Sequence, residues 1–175
     1  MPLATIRNAI PSDAQRLSQL AERTFRDTFG AMNTTEDMDL HVRASYSETI
    51  QGNEIATPSM ATLLCEQEEN LIAFAQLRWT GAPPCIVAQS PGEIQRLYVA
   101  ADWHSQGIAQ VLMQACIEEM KSHGTDVIWL GVWERNPRAI SFYKKLGFVE
   151  VGNHVFSLGH DLQRDIVMAR SVVPG

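Results

Sequence analysis

The spacing of hydrophobic residues changes period several times along this 175-residue chain. Glu93–Val99 and Val127–Val132 are short apolar stretches typical of buried strands, and the alternation in the first slips near Arg96. Between them, apolar residues recur at helical spacing as far as Met120, and Gly124 suits the end of that helix. This order predicts a crossover unit that connects two parallel strands.

A further helix is predicted after the second strand, and the sequence marks both of its ends. Asn136 is a good N-cap, Pro137 suits the first helical position, and Gly147 suits the position just past the last turn. One face of this helix is apolar at positions i, i+3, i+4 and i+7, namely Ala139, Phe142, Tyr143 and Leu146. The pattern therefore predicts strand, helix, strand and helix over residues 93–148.

The N-terminal segment predicts a strand followed by an amphipathic helix. Ala4–Asn8 alternates like a strand, and a helix opens after Pro11 with Ser12 or Asp13 as its N-cap. The buried face of this helix is predicted to contain Leu17, Leu20, Ala21, Thr24, Phe25 and Thr28.

A second helical stretch starts near Asn33, which has capping-box spacing to Glu36, and extends through Tyr46. Its acidic residues form either a solvated face or part of a binding site. They are Glu36, Asp37, Asp39 and Glu48.

Two pairs of strands and one long loop account for the rest of the chain. Ala61–Glu66 and Leu71–Trp79 predict a hairpin, while Val149–Gly152 and Asp161–Ala169 predict the closing strands. Thr80–Gly92 is rich in glycine and proline and predicts a loop, which is either a lid or a plain excursion.

Composition and charge narrow the class of protein. With 45% hydrophobic residues, the chain fits a single globular domain over residues 1–175. Its apolar runs are too short to cross a membrane, and Met1–Ala4 lacks the features of a signal peptide. Three widely spaced cysteines, Cys65, Cys85 and Cys116, indicate a reduced, cytoplasmic setting. The net charge of −6 argues against nucleic acid as a partner and mildly favours cationic partners.

The predicted start of the helix after Trp103 has two properties of an anion site. Gly107 has no Cβ to obstruct a ligand, and no carboxylate lies between Trp103 and Ile117. Free N–H groups and the positive end of the helix dipole would then attract an anion such as pyrophosphate. An ordinary helix start that contains one glycine is the alternative interpretation.

Two motifs in a fixed order carry a family resemblance. The turn Gln106-Gly-Ile-Ala109 and the later Asn-x-x-Ala-Ile-x-Phe-Tyr-x-x-x-Gly-Phe of Asn136–Phe148 resemble the GNAT superfamily of acyl-CoA-dependent N-acetyltransferases. The resemblance implies an α/β (α+β) fold with a mixed, mostly antiparallel sheet of about seven strands and about four helices. It also implies a V-shaped cofactor cleft between the fourth and fifth strands.

The resemblance further implies acetyl-CoA as co-substrate and assigns residues to bind it. Backbone groups of Leu97, Tyr98 and Val99 would pair with the pantetheine arm, and Asn136 would contact the same arm. The turn that would hold the pyrophosphate comprises His104, Ser105, Gln106, Gly107, Ile108, Ala109 and Gln110. His104 departs from the family, which usually has Arg or Gln there, so weaker or pH-dependent cofactor binding is expected.

The implied chemistry is direct attack of a substrate amine on the acetyl thioester in a ternary complex. Tyr143 would be the general acid for the departing CoA thiolate, whereas its periodicity alone fits a core tyrosine. Glu93 would be the general base, acting directly or through water. Its alternative is an exposed glutamate at the end of a strand.

A narrower resemblance covers more of the chain and suggests the acceptor. Thr24–Phe29, Glu93–Val99 and Phe156–Met168 are similar to PaiA-type polyamine acetyltransferases, which act on spermidine and spermine. The matching tail residues are Gly159, Gln163, Asp165 and Met168. Asp165 would either face an acidic cleft that suits such cations or pair within the sheet.

Two functions of different class remain open. One is an acetyltransferase for a small cationic amine, polyamines first, with amino acids, antibiotics or protein N-termini as other acceptors. The other is a binding module that senses acetyl-CoA without turnover. No metal is expected, because the histidines and cysteines lack ligand spacing, and Cys116 lies on a buried helix face, against an acetyl-cysteine route. No membrane partner is expected, and the resemblance allows a homodimer.

Overall fold

The computed structural model describes residues 3–173 as one seven-stranded sheet with five α-helices. The strands are β1 (Thr5–Asn8), β2 (Met60–Gln67), β3 (Asn70–Arg78), β4 (Pro91–Val99), β5 (Val127–Trp133), β6 (Val149–Leu158) and β7 (Asp161–Ser171). The helices are α1 (Ala14–Phe29), α2 (Thr35–Ser45), α3 (Glu48–Ala56), α4 (Ile108–Ser122) and α5 (Pro137–Lys145). Met1 and Pro2, which formed part of the signal-peptide argument, lie outside the described residues.

The strands lie in the order β1-β2-β3-β4-β5-β7-β6, and β4 and β5 are the parallel pair. This confirms the predicted mixed, mostly antiparallel sheet. Pairing between β4 and β5 extends only from Pro91 opposite Val127 to Glu93 opposite Trp129. Beyond this point the two strands separate, which confirms the V-shaped cleft between the fourth and fifth strands.

Helices cover both faces of the sheet because the strands are apolar on both faces. On one face, α4 and α5 pack through residues such as Leu112 and Phe142 against Ile94 and Leu130. On the other face, α1 and α2 pack against a second cluster, which includes Leu17, Phe25, Met38, Leu64 and Phe74. The split sheet therefore lies between two hydrophobic layers, one on each face.

The expected count of about four helices was one too low, because the chain turns between α2 and α3. The hydroxyl of Ser47 accepts a hydrogen bond from the Ile50 N–H at 3.2 Å and so begins α3. This helix buries only Gln51, and its sequence therefore lacks the apolar periodicity that reveals a helix. The cap of α2 is Thr34, which accepts from Asp37 N–H at 3.1 Å, instead of Asn33.

Of the two predicted caps of α1, Asp13 occupies the N-cap position, but its side chain makes no capping hydrogen bond to the helix. The carboxylate of Asp13 accepts hydrogen bonds from Arg7 at 2.8 and 2.9 Å and from the Ile10 N–H at 2.8 Å. It therefore binds groups outside the helix, and α1 begins after a single 3₁₀ turn over Pro11–Asp13. Thr28, predicted to be buried, is exposed.

A β-bulge explains the slip in alternation on β4. Gln76 of β3 lies opposite Arg96, whereas the next residue, Leu77, lies opposite Ile94. Gln95 is thus the extra residue, and the bulge keeps Ile94 and Leu97 on the same face of the sheet. Among residues 3–173, no helix is long and apolar enough to cross a membrane.

Candidate active site

A cavity of about 1170 Å³ opens where β4 and β5 separate. At one end, here called the cofactor end, it is lined by the start of α4 and by α5. At the other, the acceptor end, the lining residues come from α1, α2, β4, β5 and the β6–β7 hairpin, and include Phe25, Phe29, His41, Tyr46, Glu93, Trp133, His154, Phe156 and Asp165.

Along the side of the cleft, β4 has backbone groups that pair with no neighbouring strand. The N–H of Ala100 donates to Ile72 O of β3 at 2.8 Å, and successive residues of a strand direct their backbone groups to opposite sides. The backbone of Tyr98 is therefore directed to β3, and those of Leu97 and Val99 to the cleft. Leu97 and Val99 thus have the orientation that pairing with a pantetheine arm requires, while Tyr98 lines the cavity.

The turn before α4 forms a cradle of N–H groups. Ser105 and Gly107 adopt left-handed conformations, with φ of 63° and 79°, which tighten the chain ahead of the helix. The first helical hydrogen bond runs from Val111 N to Gly107 O at 3.2 Å, so the N–H groups of the preceding helical residues have no acceptor within the helix. These residues, Ile108, Ala109 and Gln110, line the cavity and fit a pyrophosphate.

Gln106 is the predicted cofactor residue that does not line the cavity. Its side-chain amide donates to Asp102 O at 3.1 Å and so braces the turn from outside. Its predicted contact with the cofactor can therefore involve only the backbone.

His104 lies at the same turn and has a cationic neighbour from another element. Its Nε2 lies 2.8 Å from Val99 O, so this nitrogen carries the proton and donates. The Nδ1 atom then accepts from Arg138 Nη1 at 3.3 Å. Arg138, on α5, thus brings to the cradle the positive charge that His104 lacks. Sequence reasoning missed Arg138, although it lies within the Asn136–Phe148 motif.

The start of α5 positions Asn136 and Tyr143 on the same side of the cavity. Asn136 Oδ1 accepts from Ala139 N–H at 3.2 Å, which confirms its role as N-cap. Tyr143 packs against Phe142 and Phe148 and also lines the cavity. Burial raises the pKa of Tyr143 above the usual value of a phenol, so its hydroxyl stays protonated at neutral pH. A protonated hydroxyl at this place can donate to a departing thiolate.

Glu93 occupies the last paired position of β4, at the point where the strands separate. It is 6% exposed, so the alternative of an exposed strand-end glutamate is wrong. Both of its oxygens contact the guanidinium of Arg78, one of them at 3.4 Å. Burial raises the pKa of Glu93, and the contact with Arg78 opposes that rise. A carboxylate bound to arginine is a weak proton acceptor, and the role of Glu93 as base stays a prediction.

His154 and Asp165 form a second polar pair at the acceptor end. They face each other across β6 and β7, with His154 Nε2 3.6 Å from Asp165 Oδ2. Both lie over Gly131 of β5, where a Cβ would come within 3.0 Å of the His154 nitrogen and 3.1 Å of the Asp165 oxygen. Asp165 therefore faces the cleft and also pairs within the sheet. Nothing in the sequence marked His154.

A network of buried polar side chains around Arg96 supports the cavity beside the His154–Asp165 pair. Arg96 donates to Glu54 at 2.7 Å and to Gln76 at 2.6 Å, and its guanidinium lies 5.0 Å from the ring centre of Tyr46. Gln76 donates in turn to Gln51 at 2.8 Å, which ties β3 to α3. Positive charge on Arg96 is thereby held in one place by a carboxylate and an amide.

The β6–β7 hairpin closes the acceptor end by contacting α2; we call this the hairpin–α2 contact. The His160 N–H donates to Asp37 Oδ1 at 2.8 Å, and Gln163 Nε2 donates to Asn33 Oδ1 at 2.6 Å. Gly159 has a φ of 58°, and a Cβ there would lie 2.6 Å from the Cα of Asp37. Two of the four tail residues singled out in the sequence thus hold the hairpin against α2.

The acidic residues of the second predicted helical stretch do not line the cavity. Asp37 binds the hairpin, and Asp39 pairs with Arg26 at 2.8 Å. The loop before β4 packs on β5 and β7 through Cys85 and Ile86. Within residues 3–173, no group of three histidines, cysteines or carboxylates could hold a metal ion.

A split between parallel strands, followed by an N–H cradle at the next helix, defines an enzyme class that binds acyl-CoA and transfers its acyl group. The chain belongs to the acetyltransferase (GNAT) family, whose model matches residues 16–148. It is therefore an N-acetyltransferase that uses acetyl-CoA, as the motifs predicted.

Relatives of known sequence or structure agree with this family. An uncharacterized N-acetyltransferase of Lactobacillus delbrueckii subsp. lactis is 30% identical over 92% of this chain and 93% of its own length. The PaiA N-acetyltransferase of Thermoplasma acidophilum, solved with coenzyme A, has a TM-score of 0.76 at 23% identity, covering 97% of this chain and 99% of that one. The ribosomal-protein-S18-alanine N-acetyltransferase of Escherichia coli has a TM-score of 0.70 at 19% identity, covering 99% and 96%.

Proposed function

We propose that this acetyltransferase acts on a primary amine of a small cationic molecule, with polyamines such as spermidine and spermine as the first candidates. The observation that carries the proposal is the enclosed acceptor end, which contains two carboxylates among aromatic rings. Glu93 and Asp165 are both largely buried and line the cavity. Carboxylates attract an ammonium group, and aromatic faces hold cations through cation–π contacts.

The hairpin–α2 contact favours a small acceptor over a protein. Asp37 and Asn33 hold the β6–β7 hairpin against α2, so the wall is continuous on that side of the cavity. A folded protein could insert its N-terminus there only if those hydrogen bonds opened. A flexible, thin polyamine needs no such opening.

An amino-terminal peptide is the second candidate acceptor. Over an aligned segment of 52 residues, this chain is 36% identical to the ribosomal protein bS18-alanine N-acetyltransferase of Escherichia coli. In addition, each acceptor-end carboxylate already has a cationic or ionisable partner, Glu93 in Arg78 and Asp165 in His154. Such pairing reduces the attraction for a polycation and leaves room for a singly charged amine.

Acetyl-CoA sensing without turnover has less support than catalysis. Tyr143 lines the cavity as a protonated phenol, which a sensor would not need. A cytoplasmic location, which the three free cysteines support, is part of the proposal.

The first test is CoA release from acetyl-CoA with a panel of acceptors. The panel contains spermidine, spermine, putrescine, free amino acids, aminoglycosides and a peptide with an N-terminal alanine. n-Butylamine serves as the matched control for spermidine, because it offers a primary amine without the additional charges. We expect kcat/KM for spermidine to exceed that for n-butylamine by at least about 100-fold, which corresponds to about 2.7 kcal/mol.

Equal rates for spermidine and n-butylamine would contradict recognition of a polycation. Preference for the alanine peptide would favour the second candidate. Acetyl-CoA binding by calorimetry with no turnover across the whole panel would favour the sensor.

A further inference from the structure

The position of the His154–Asp165 pair relative to the split in the sheet suggests a role in proton transfer. β4 and β5 last pair at Glu93 and Trp129, and Gly131 follows two residues later on β5. His154 and Asp165 lie directly over Gly131. We propose that His154, oriented by Asp165, accepts the proton that the substrate amine must lose. Asp165 acts as a positioning residue and His154 as the catalytic base.

Gly131 provides the space in which this pair can reach the cleft. A Cβ at that position would approach the His154 Nε2 and Asp165 Oδ2 atoms to 3.0 and 3.1 Å, closer than ordinary van der Waals contact. Any larger residue would displace the pair towards the edge of the sheet. The glycine thus lets two side chains from neighbouring strands lie beside the point where the strands part.

His154 is better suited to accept a proton than Glu93. Glu93 is held by Arg78, and protonating it would weaken that ion pair. The His154 ring is about one-third exposed and lines the cavity, and a neutral imidazole has a ring nitrogen whose lone pair can accept a proton. Because Nε2 is the ring nitrogen that lies 3.6 Å from Asp165, the proposal places the proton of the neutral ring on Nε2 and makes the lone pair on Nδ1 the proton acceptor.

Several charged or ionisable groups face this pair from the elements packed around it. Asp165 is on β7, Glu93 and Arg96 are on β4, Arg78 is on β3, and His41 is on α2 beside Phe156. Burial raises the pKa of Asp165, and His154 opposes that rise. Tyr98, Tyr143, His154 and Asp165 all line the same cavity.

The proton and bond changes balance with these two residues. The ammonium first gives one proton to His154 Nδ1, which frees the lone pair on nitrogen. The amine nitrogen then forms a bond to the acetyl carbonyl carbon and the carbon–sulfur bond breaks. The second proton of nitrogen goes to solvent, and Tyr143 gives its hydroxyl proton to the sulfur. The products are the acetylated amine and CoA, and solvent restores both side chains. The inference rests on the acetyl transfer under Proposed function, but not on which amine is the acceptor.

The test compares pH–rate profiles of kcat for wild type, His154→Gln, Asp165→Asn and Glu93→Gln. Spermidine and the alanine peptide are both used as acceptors. His160→Gln is the matched control, since this histidine lies on the same hairpin with its ring exposed and outside the cavity. We expect His154→Gln to lower kcat by about 10²-fold or more and to remove the acidic limb of the profile. Asp165→Asn should shift that limb to lower pH, and His160→Gln should change neither.

Unchanged affinity for acetyl-CoA in each variant shows that the fold is intact. A wild-type profile in His154→Gln, or loss of the acidic limb in Glu93→Gln alone, would overturn the proposal. If wild type acetylates the peptide but not spermidine, the polyamine proposal fails while the peptide profiles still decide the role of His154.

A measurement without turnover covers the case of an untested acceptor. The His154 ring protons are titrated by NMR in wild type and in Asp165→Asn. We expect the two titrations to differ, with the Asn variant losing its proton at lower pH, because the imidazolium loses its carboxylate partner. Identical titrations would overturn the orienting contact on which the inference depends.

Discussion

Tyr143 shows how one residue can serve both the core and the chemistry. Its ring packs 5.4 Å from that of Phe142 and 5.9 Å from that of Phe148, measured between centroids. The same residue lines the cavity, and its pKa is raised by burial. The helical spacing of apolar residues indicates only that Tyr143 packs in the core. The prediction that it is the general acid came from the family motif. The packing is observed, and the role of Tyr143 as the acid stays a prediction.

Tyr143→Phe separates these two roles, because it removes the hydroxyl and keeps the ring. We expect kcat to fall by about 10²–10³-fold, with the affinity for acetyl-CoA and the unfolding free energy nearly unchanged. Steady-state kinetics, calorimetry and urea denaturation measure the three quantities. Undiminished turnover would remove Tyr143 from the reaction.

The residues that the sequence located and those it missed differ in how far apart their partners lie along the chain. The cradle at Ser105–Gln110 and the cap at Asn136 depend on local turns, which a short motif specifies. His154 meets Asp165 only through the register of β6 and β7, and Arg138 meets His104 only through the docking of α5. The register of these strands and the docking of α5 are set by the whole fold, so no local sequence pattern could predict the contacts.

Among the elements, the β6–β7 hairpin has the most demanding contact. At Gly159 the backbone is left-handed, and the absent Cβ allows the chain to lie against Asp37 of α2. The two closing strands were predicted from Val149–Gly152 and Asp161–Ala169, although β6 extends as far as Leu158. The hairpin–α2 contact was not predicted, because nothing in the sequence of the hairpin or of α2 indicates that the two meet.

Gly159→Ala tests what the hairpin–α2 contact contributes. Gly124→Ala is the matched control, because Gly124 has a similar φ of 75° but no atom within 4 Å of a Cβ. We expect the control to lower the unfolding free energy by about 1–2 kcal/mol and Gly159→Ala by about 2–4 kcal/mol. KM for the acceptor should rise several-fold in Gly159→Ala only. Equal losses in both variants, with unchanged KM, would show that the contact is dispensable.

Helices and strands could be predicted where their hydrophobic residues recur with a strong period, and not elsewhere. α4 and α5 have clear apolar faces and were both predicted, although α4 begins at Ile108 and its predicted start lay just after Trp103. α3 buries one glutamine and was missed, while the bulge at Gln95 was visible only as a slip near Arg96. Polar helices and bulges depend on long-range partners such as Gln76, which donates to Gln51.

At the scale of the whole molecule, the two ends of the cavity differ in charge. The cofactor end includes Arg138 and Lys145, whereas the acceptor end contains both signs, with Glu93 and Asp165 beside Arg78 and Arg96. Between α2 and the sheet, His41 stacks on Phe25 with ring centroids 4.4 Å apart. Burial and then the charge of Arg96 lower the pKa of His41 from 6.5 to about 4.

This depressed pKa predicts a stability change in mild acid. The folded protein resists protonation of His41, so its contribution is complete above pH 6.5 and is lost as pH falls towards about 4. We expect the unfolding free energy of wild type to fall over that window by on the order of 1 kcal/mol more than that of His41→Gln, since the ring is partly exposed. Urea denaturation at several pH values measures this difference. Parallel curves for the two proteins would contradict the assignment.

The separation of β4 from β5 also gives the sheet a pair of edges in its interior. Exposed strand edges commonly recruit strands of other chains, which leads to aggregation. Here the edge at Leu97 and Val99 is recessed behind the start of α4 and behind α5, and His104 already occupies the carbonyl of Val99. An unbranched chain of methylene and amide groups has no side chains, so it is narrower than a polypeptide strand and reaches a recessed edge more easily. Because this strand edge lies deep in the cleft, the fold protects it from strands of other chains and keeps it available to a thin ligand.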